Sequence, residues 1–368
     1  MFCSPCRRLW PAFPFLSRLG AGWALLATLT LAGCTGSHAI ARYDGLKFPG
    51  LTWFAPVGAS DRTTLARWSA GVGPPVLRNG RTGEPQPSDT LSVISWNTAL
   101  GAGDITALLR DVRSRNAGAH IVLLLQEVYR GGPEVPAAAR NGMQFAGKLG
   151  GHDLHRREVE SIAEAEGLNV YYVPSMRNGS PLESNEDRGN AILSTLPLTD
   201  LSAIELPFER QRRVAVAATV AGQTSDGRPW QVRVVSSHFD NVVGPRRGWI
   251  FGGELARIRQ ARALVDYLGA DECVVLGGDL NTWSGFEEGA YKEIAREFPD
   301  THVRDRRATF MGLLRLDHLF FRLPDGWRGE FHRGAKRYGS DHYPLIATIS
   351  LRDRPAAASA GMKAGAPQ

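Results

Sequence analysis

Val274-Val275-Leu276-Gly277-Gly278-Asp279-Leu280-Asn281 is the stretch whose reading decides the fold. Cys273 to Leu276 is an unbroken apolar run, the pattern of a strand covered on both faces. Two glycines follow, which let a backbone turn sharply and approach a ligand closely. Asp279 and Asn281, two apart in an extended segment, project to one side. A carboxylate able to hold a cation or take a proton, beside an amide able to hold a water or an anion, makes a catalytic pair. The same residues are ordinary turn formers, and a Gly-Asp turn capped by Asn fits the segment equally well.

Outward from this strand, apolar runs of strand length are interrupted by amphipathic stretches in no regular order. Leu91–Trp96, Ile121–Leu125, Asn169–Val173, Asn190–Leu193, Val214–Val220, Trp230–His238, Leu316–Phe321 and Pro344–Leu351 read as strands. Asp104 is placed to cap a helix with Ile105, Leu108, Leu109 and Val112 on one face, closed near Gly118. Further helices are predicted around Ala137–Leu149, Arg156–Glu166, Glu254–Leu268 and Phe286–Phe298. The third puts Leu255, Ile258, Val265 and Leu268 on its apolar face, with Gly269 at its end. This predicts an α/β domain over residues 91–352, two packed sheets with helices outside. Residues 34–90, punctuated by Gly, Pro and Ser but carrying Trp53, Phe54 and Trp68, predict a tether that partly packs on the domain. The Ala-, Gly- and Pro-rich tail, 353–368, predicts disorder.

The first 33 residues read as an address. Arg7, Arg8 and Arg18 form a positive n-region, and Leu19–Ala32 is apolar but too short to span a bilayer. The stretch ends Leu31-Ala32-Gly33-Cys34, which resembles a bacterial lipoprotein cleavage box. That resemblance implies lipidation of Cys34 and a mature chain tethered to a membrane of the cell envelope, outside the cytoplasm. An uncleaved anchor would place it there too. The formal charge of +6 includes the three leader arginines and no leader acid, which leaves about +3 on the mature chain, too little to argue for nucleic acid by itself. Of four cysteines, Cys3 and Cys6 leave with the leader and Cys34 takes the lipid. Cys273 remains alone, so no disulfide framework is possible and a buried thiol is expected.

Six strand ends carry a residue capable of chemistry: Asn97, Glu127, His238, Asp279 with Asn281, Asp317, and Asp341 with His342. Burying acids and imidazoles without partners is expensive, so these ends are expected to converge on one another, on a cation or on substrate. The segments are Ser95-Trp96-Asn97, Leu125-Gln126-Glu127, Gly189-Asn190-Ala191-Ile192-Leu193-Ser194, Ser237-His238-Phe239, Gly278-Asp279-Leu280-Asn281, Leu316-Asp317-His318-Leu319 and Ser340-Asp341-His342-Tyr343-Pro344. In order and separation they resemble the endonuclease/exonuclease/phosphatase superfamily of metal-dependent phosphoesterases. One such motif says little; seven in order are specific.

The resemblance implies a four-layered sandwich of two mixed sheets with helices on both outer faces, and an active site at one end. It implies Glu127 as principal Mg²⁺ ligand, with Asn97 and Asp341 nearby; hard oxygen donors suit Mg²⁺ or Mn²⁺. Asp279 would orient or deprotonate the attacking water, and Asn281 would hold the phosphate or the nucleophile. Asp317 and His342 resemble the family's acid/base pair, the carboxylate fixing the imidazole tautomer. His238 would contact the non-bridging oxygens. The implied reaction is in-line attack of water on phosphorus.

Taken singly, these residues have plainer readings: Asn97 in a turn, Glu127 beside a helix end, His238 in the core. His318, on the other side of its strand from Asp317, reads as structural. Arg188, Arg212 and Arg213 either reach substrate phosphate or sit on a solvated surface, the preferred reading. Trp283 stacks on substrate or lids the core. Family branches act on DNA, RNA, sphingomyelin, inositol phosphates and small phosphoesters, and the loops choose among them. Ala99 stands where abasic-site endonucleases usually carry an acid, and His238 where they use Tyr. Both departures favour the deoxyribonuclease-like or sphingomyelinase-like branches. Arg210-Gln211-Arg212-Arg213, Arg246-Arg247 and Arg304–Arg307 speak for nucleic acid. The lipid tether and the short run Trp249-Ile250-Phe251 speak for phospholipid. A nuclease-like phosphodiesterase is expected, with a phospholipid or small-molecule phosphoesterase as the alternative. A non-catalytic binding module would have lost one of the core residues, and none is lost. A structural envelope lipoprotein has no use for acids and histidines at so many strand ends. Nothing points to a protein partner.

Overall fold

The computed structural model describes residues 38–80, 86–116, 118–137, 156–178, 185–209, 211–241, 251–269 and 271–352. Among them lie two seven-stranded mixed sheets. The first runs, edge to edge, β1 (Ile40–Arg42), β2 (Leu51–Pro56), β8 (Thr199–Glu205), β9 (Val214–Gln223), β10 (Pro229–His238), β11 (Val274–Asp279) and β12 (Asp317–Arg322). The second runs β13 (Arg328–Arg333), β14 (Leu345–Ser350), β4 (Thr90–Asn97), β5 (His120–Gly131), β7 (Glu186–Ser194), β6 (Asn169–Arg177) and β3 (Val76–Arg78). Five helices complete the described chain: α1 (Ala59–Ser69), α2 (Ile105–Arg115), α3 (Val159–Glu166), α4 (Phe251–Tyr267) and α5 (Gly289–Glu297).

Strand alternation sorts the side chains into three apolar layers. Odd positions of β4 and even positions of β5 and β10 (Leu91, Val93; Val122, Leu124; Val232, Val234) meet Val275, Leu319 and Phe321 between the sheets. The opposite faces of β4 and β5 (Ile94, Trp96, Leu123, Leu125) pack under Ile105, Leu108, Leu109 and Val112 of α2 and Val159 and Ile162 of α3. Val235, Val274, Leu276 and Phe320 pack under Ala261 and Leu264 of α4 and Ala290 and Ile294 of α5. Each large aliphatic or aromatic side chain so buried contributes about 1.5–3 kcal/mol. Helix, sheet, sheet, helix is the four-layered sandwich. Asp104 caps α2 as expected, accepting from the Ala107 N–H at 3.0 Å.

Several expectations change. Gly277 and Gly278 do not turn the chain; both lie inside β11, paired with Ser236 and Ser237 of β10. They are small because space is short. A Cβ on Gly277 would lie 2.7 Å from Ser95 Cβ and 3.0 Å from Leu124 Cδ1 of the other sheet, and one on Gly278 would strike the Ser237 carbonyl. Helix α4 does not bury Leu255, which is 61% exposed; its covered face is Ala256, Arg257, Gln260, Ala261, Leu264 and then Leu268. Arg257 pairs with Glu288 and Gln260 bonds the Pro207 carbonyl and the Asp240 N–H, so polar residues occupy a face that hydrophobicity alone does not mark. The segment read as a tether packs by strand addition: β2 pairs in parallel with β8, and β3 pairs with β6. Strands β8 and β13 were not anticipated. Cys34 and the leader, the helix expected beyond Ala137, Arg246-Arg247, Trp249-Ile250 and the tail lie outside the described residues. No described helix is long and apolar enough to cross a membrane.

Candidate active site

Along the inner face of each central strand the side chains pass from apolar to small to polar. Val93 is followed by Ser95 and Asn97, Val234 by Ser236 and His238, and Val275 by Gly277 and Asp279. Strand β12 runs the other way, with Asp317 first and then Leu319 and Phe321. Pairing puts His238 opposite Asp279 and Asp279 opposite Asp317. Residues opposite one another share a face, so one row across three strands carries an imidazole and two carboxylates, all buried.

The second sheet closes over this row. Asn97 Nδ2 donates to Asp279 Oδ2 at 2.9 Å, while Asn97 Oδ1 accepts from the Ala99 N–H at 3.0 Å. Ser340 Oγ donates to the Asn97 carbonyl at 2.7 Å and accepts from the His342 N–H at 2.9 Å, which fixes the loop before β14. Trp96 Nε1 donates to the His342 carbonyl, and the Phe310 ring lies 4.9 Å from the His342 ring. Glu127 sits where β5 bulges against β7, with φ of +52°, a left-handed conformation costly for a non-glycine residue. Asn281, φ +50°, follows β11 in a turn: its N–H donates to Asp279 Oδ1 at 2.9 Å and its Nδ2 to the Phe239 carbonyl at 3.0 Å. Asp279 and Asn281 are therefore not two positions of one extended strand. The capped turn is present, with both side chains buried at the end of β11.

His342 Nδ1 lies 2.7 Å from Asp317 Oδ2, and His342 Nε2 lies 3.8 Å from both Asp279 Oδ2 and Asp341 Oδ1. Burial works against a charge on His342, but the Asp317 carboxylate and its hydrogen bond, then Asp279 and Asp341, outweigh it and raise the pKa to about 10. Asp279 is pushed up to about 7, first by burial and then by the charge of Asp317. His238, 3.6 Å from Asp279 Oδ2, is pushed well below the usual histidine range by burial, then by Arg213, Arg188 and His342. At neutral pH the site holds an imidazolium, a neutral imidazole and a carboxyl group near its midpoint.

Two sets of side chains are candidates for a cation. Donor atoms of Asp279, Asp317 and His342 all lie within 4.8 Å of one another, but Asp317 Oδ2 and His342 Nδ1 are spent on each other, a bond that suits a proton network. Asn97, Glu127 and Asp341 offer the oxygen donors that a hard divalent ion takes. Asp341 is raised by burial and further by the Glu127 carboxylate, despite the neighbouring imidazolium. Two acids close enough for one to raise the other's pKa are candidates to share a cation.

Three expectations on neighbouring residues divide. His318 is structural: it bonds Thr282 Oγ1 at 2.8 Å and packs among Phe286, Tyr291 and Phe320 on the helical side. Trp283 lids nothing and is 42% exposed. The arginines read as solvated are buried. Arg212 is held by Glu205 at 2.9 and 2.5 Å, Arg188 Nη1 lies 3.5 Å from Glu127 Oε2, and Arg213 interacts with Glu127 and Asp279. Adjacency of Arg188 to the Gly189-Asn190 strand was the signal available for it; Arg212 and Arg213 had none, since which of two adjacent arginines turns inward is a matter of packing.

Comparison with known proteins follows the same lines. A UPF0294 protein of Vibrio parahaemolyticus is 34% identical over 83 residues, 22% of this chain and 28% of that protein's length. An endonuclease/exonuclease/phosphatase family protein from Leptotrichia buccalis aligns over 70% of this chain and 98% of its own, with 14% identity and a TM-score of 0.46. The 3′ phosphatase NExo from Neisseria (16%, TM-score 0.43, 70% and 98%) and sphingomyelinase C from Streptomyces griseocarneus (17%, TM-score 0.39, 70% and 99%) are similar at the same level, too distant to carry an argument. The family profile itself matches residues 94–342, well over half the chain, from the strand bearing Asn97 to His342. The chain belongs to the endonuclease/exonuclease/phosphatase family.

Proposed function

We propose that this chain is a divalent-metal-dependent phosphodiester hydrolase in which water attacks phosphorus. The observation that supports this most is the buried row His238–Asp279–Asp317 with His342 and Asn97 closed over it. A general base works best with a pKa near the working pH, and Asp279, at about 7, meets that condition. It takes a proton from the water as the new O–P bond forms. His342 returns a proton from Nε2 to the leaving oxygen as the old P–O bond breaks, with Asp317 holding Nδ1. Neutral His238 donates to a non-bridging oxygen. Glu127, Asp341 and Asn97 are the residues to hold Mg²⁺, or Mn²⁺, which when bound neutralises phosphoryl charge.

Nucleic acid is the first substrate class, from the basic runs. A phospholipid is the second, and a specific observation favours it: Trp283, Met311 and Leu313 are exposed apolar side chains beside the site, two residues from Asn281 and on a turn whose Met311 N–H bonds the Asp341 carbonyl. The described part of the basic runs speaks less clearly than its sequence, since Arg212, Arg304 and Arg307 are paired with Glu205, Glu330 and Asp305. Lipidation at Cys34 and an envelope location complete the reading.

The test is hydrolysis by the full-length chain of plasmid DNA, RNA, bis-p-nitrophenyl phosphate, p-nitrophenyl phosphate and sphingomyelin vesicles, with Mg²⁺ or with EDTA. Diester cleavage abolished by EDTA is the expected result. Cleavage that survives EDTA, or of no substrate in the panel, overturns it.

A further inference from the structure

Of the domain's buried arginines, Arg177 and Arg315 donate to backbone carbonyls and three are neutralised by acids. Arg130 is paired with Asp187, Arg212 with Glu205, and Arg257 with Glu288. Arg188 and Arg213 differ. They come from opposite sheets, Arg188 on β7 and Arg213 at the start of β9, and both are buried, at 5% and 3% exposure. Arg188 offers Nη2 to Met176 Sδ, a weak acceptor, and its contact with Glu127 is long at 3.5 Å. Arg213 donates Nη2 to the neutral Gln211 Oε1 at 2.8 Å, and the acids acting on it, Asp240, Glu127 and Asp279, make no close ion pair with it among the described residues. The Nε of each is buried and meets no protein acceptor. The two guanidinium groups act electrostatically on each other, and Arg213 also acts on Asp240, Glu127 and Asp279.

Two buried guanidinium groups, neither in a close ion pair among the described residues, repel each other and leave donors unmade, a cost that a bound anion removes. Planar N–H forks match phosphoryl oxygens. We propose that Arg188 and Arg213 form a clamp for a phosphoryl dianion beside Glu127. It serves the doubly charged phosphorane made from a diester and the phosphomonoester that leaves. The inference rests on the hydrolase reading above and names the charge state that this site selects. A monoanionic diester meets the same clamp with half the charge, so the interaction grows on the way to the transition state, which raises kcat more than it lowers KM.

Calorimetry on the full chain with Mg²⁺ at pH 8 compares inorganic phosphate, a dianion there, with dimethyl phosphate, a monoanion. In Arg188→Gln and Arg213→Gln, phosphate affinity is expected to fall roughly ten- to a hundredfold, the scale of a lost charge-assisted hydrogen bond. Dimethyl phosphate, with half the charge, should weaken by only roughly three- to tenfold, and kcat for bis-p-nitrophenyl phosphate should fall more than KM rises. Arg→Lys variants, which keep the charge without the fork, should regain part of the phosphate affinity. Unchanged phosphate affinity in both Gln variants, or equal weakening of both ligands, overturns the clamp. Should the Gln variants not fold, the wild-type chain decides: phosphate must raise its thermal midpoint more at pH 8 than at pH 5.5, and no such difference overturns the proposal. The readouts separate the two readings. A chain that binds phosphate through these arginines but cleaves nothing keeps the clamp and loses the hydrolase; one that cleaves diesters normally without them does the reverse.

Discussion

Asn97, at the end of β4 in one sheet, donates its side-chain amide to Asp279, at the end of β11 in the other. The base proposed for the reaction is thus held from across the sandwich, and its acidity depends on a residue of the facing sheet. This bond lowers the Asp279 pKa against burial and Asp317, which raise it. Asn97→Ala should move the acid limb of kcat/KM above about 7, and a shift of about one pH unit reduces activity roughly fivefold at pH 7 and roughly tenfold well below the midpoint. A pH–rate profile checks this; a limb that stays in place removes Asp279 from the role of base.

Asp317 sets the other limb. With it, His342 titrates at about 10; Asp317→Asn leaves burial and lets the alkaline limb move to lower pH. His342→Ala should cost at least about a hundredfold in turnover, the usual cost of a lost general acid or base. The sign for stability follows from linkage. His342 is raised in the folded state, so its contribution is fully present below 6.5 and is lost as pH rises toward 10. The thermal midpoint should fall over that window in the wild type, and less in Asp317→Asn.

Asp279→Asn should lower turnover at least about a hundredfold and yet stabilise the fold at pH 8. Its pKa is raised by folding from 3.8 to about 7, so ionisation of the buried group weakens the native state as pH climbs through that range. Thermal unfolding at pH 8 and at pH 3.5 tests this. The gain should be present at pH 8 and absent at pH 3.5, and a variant less stable than wild type at pH 8 contradicts it.

Gly277→Ala should destabilise by about 1–3 kcal/mol, the scale of overpacking, because its Cβ meets Ser95 and Leu124 of the facing sheet. Gly278→Ala should cost more, since the atom it meets is backbone of the next strand and cannot rotate away. Urea unfolding of both variants measures the difference, and Gly278→Ala as stable as wild type would show that β10 and β11 can part.

Cys34→Ala should release the chain from membranes into the soluble fraction. Continued membrane fractionation would show that lipid at Cys34 is not what holds it.

Much of this protein was legible before folding. The alternation in β4, β10 and β11 marked strands because period-two burial writes itself into sequence, and the polar residue closing each run marked the end at which these side chains converge. Asn97, Glu127, His238, Asp279, Asp317 and His342 could all be named from that pattern and their order. Tertiary structure decided the rest. Register, which no local pattern carries, put His238, Asp279 and Asp317 in one row. Sheet-to-sheet distance turned the Gly277-Gly278 pair from an apparent hinge into a packing requirement. Acidity was also decided there: burial and the charge of Asp317 bring Asp279 to about 7, against the amide of Asn97, which lowers it. Arg212 and Arg213 show the limit most clearly. They are identical and adjacent in sequence, yet Glu205 neutralises one while the other faces Glu127 and Asp279, because which side chain meets a partner depends on what the other strands bring to it.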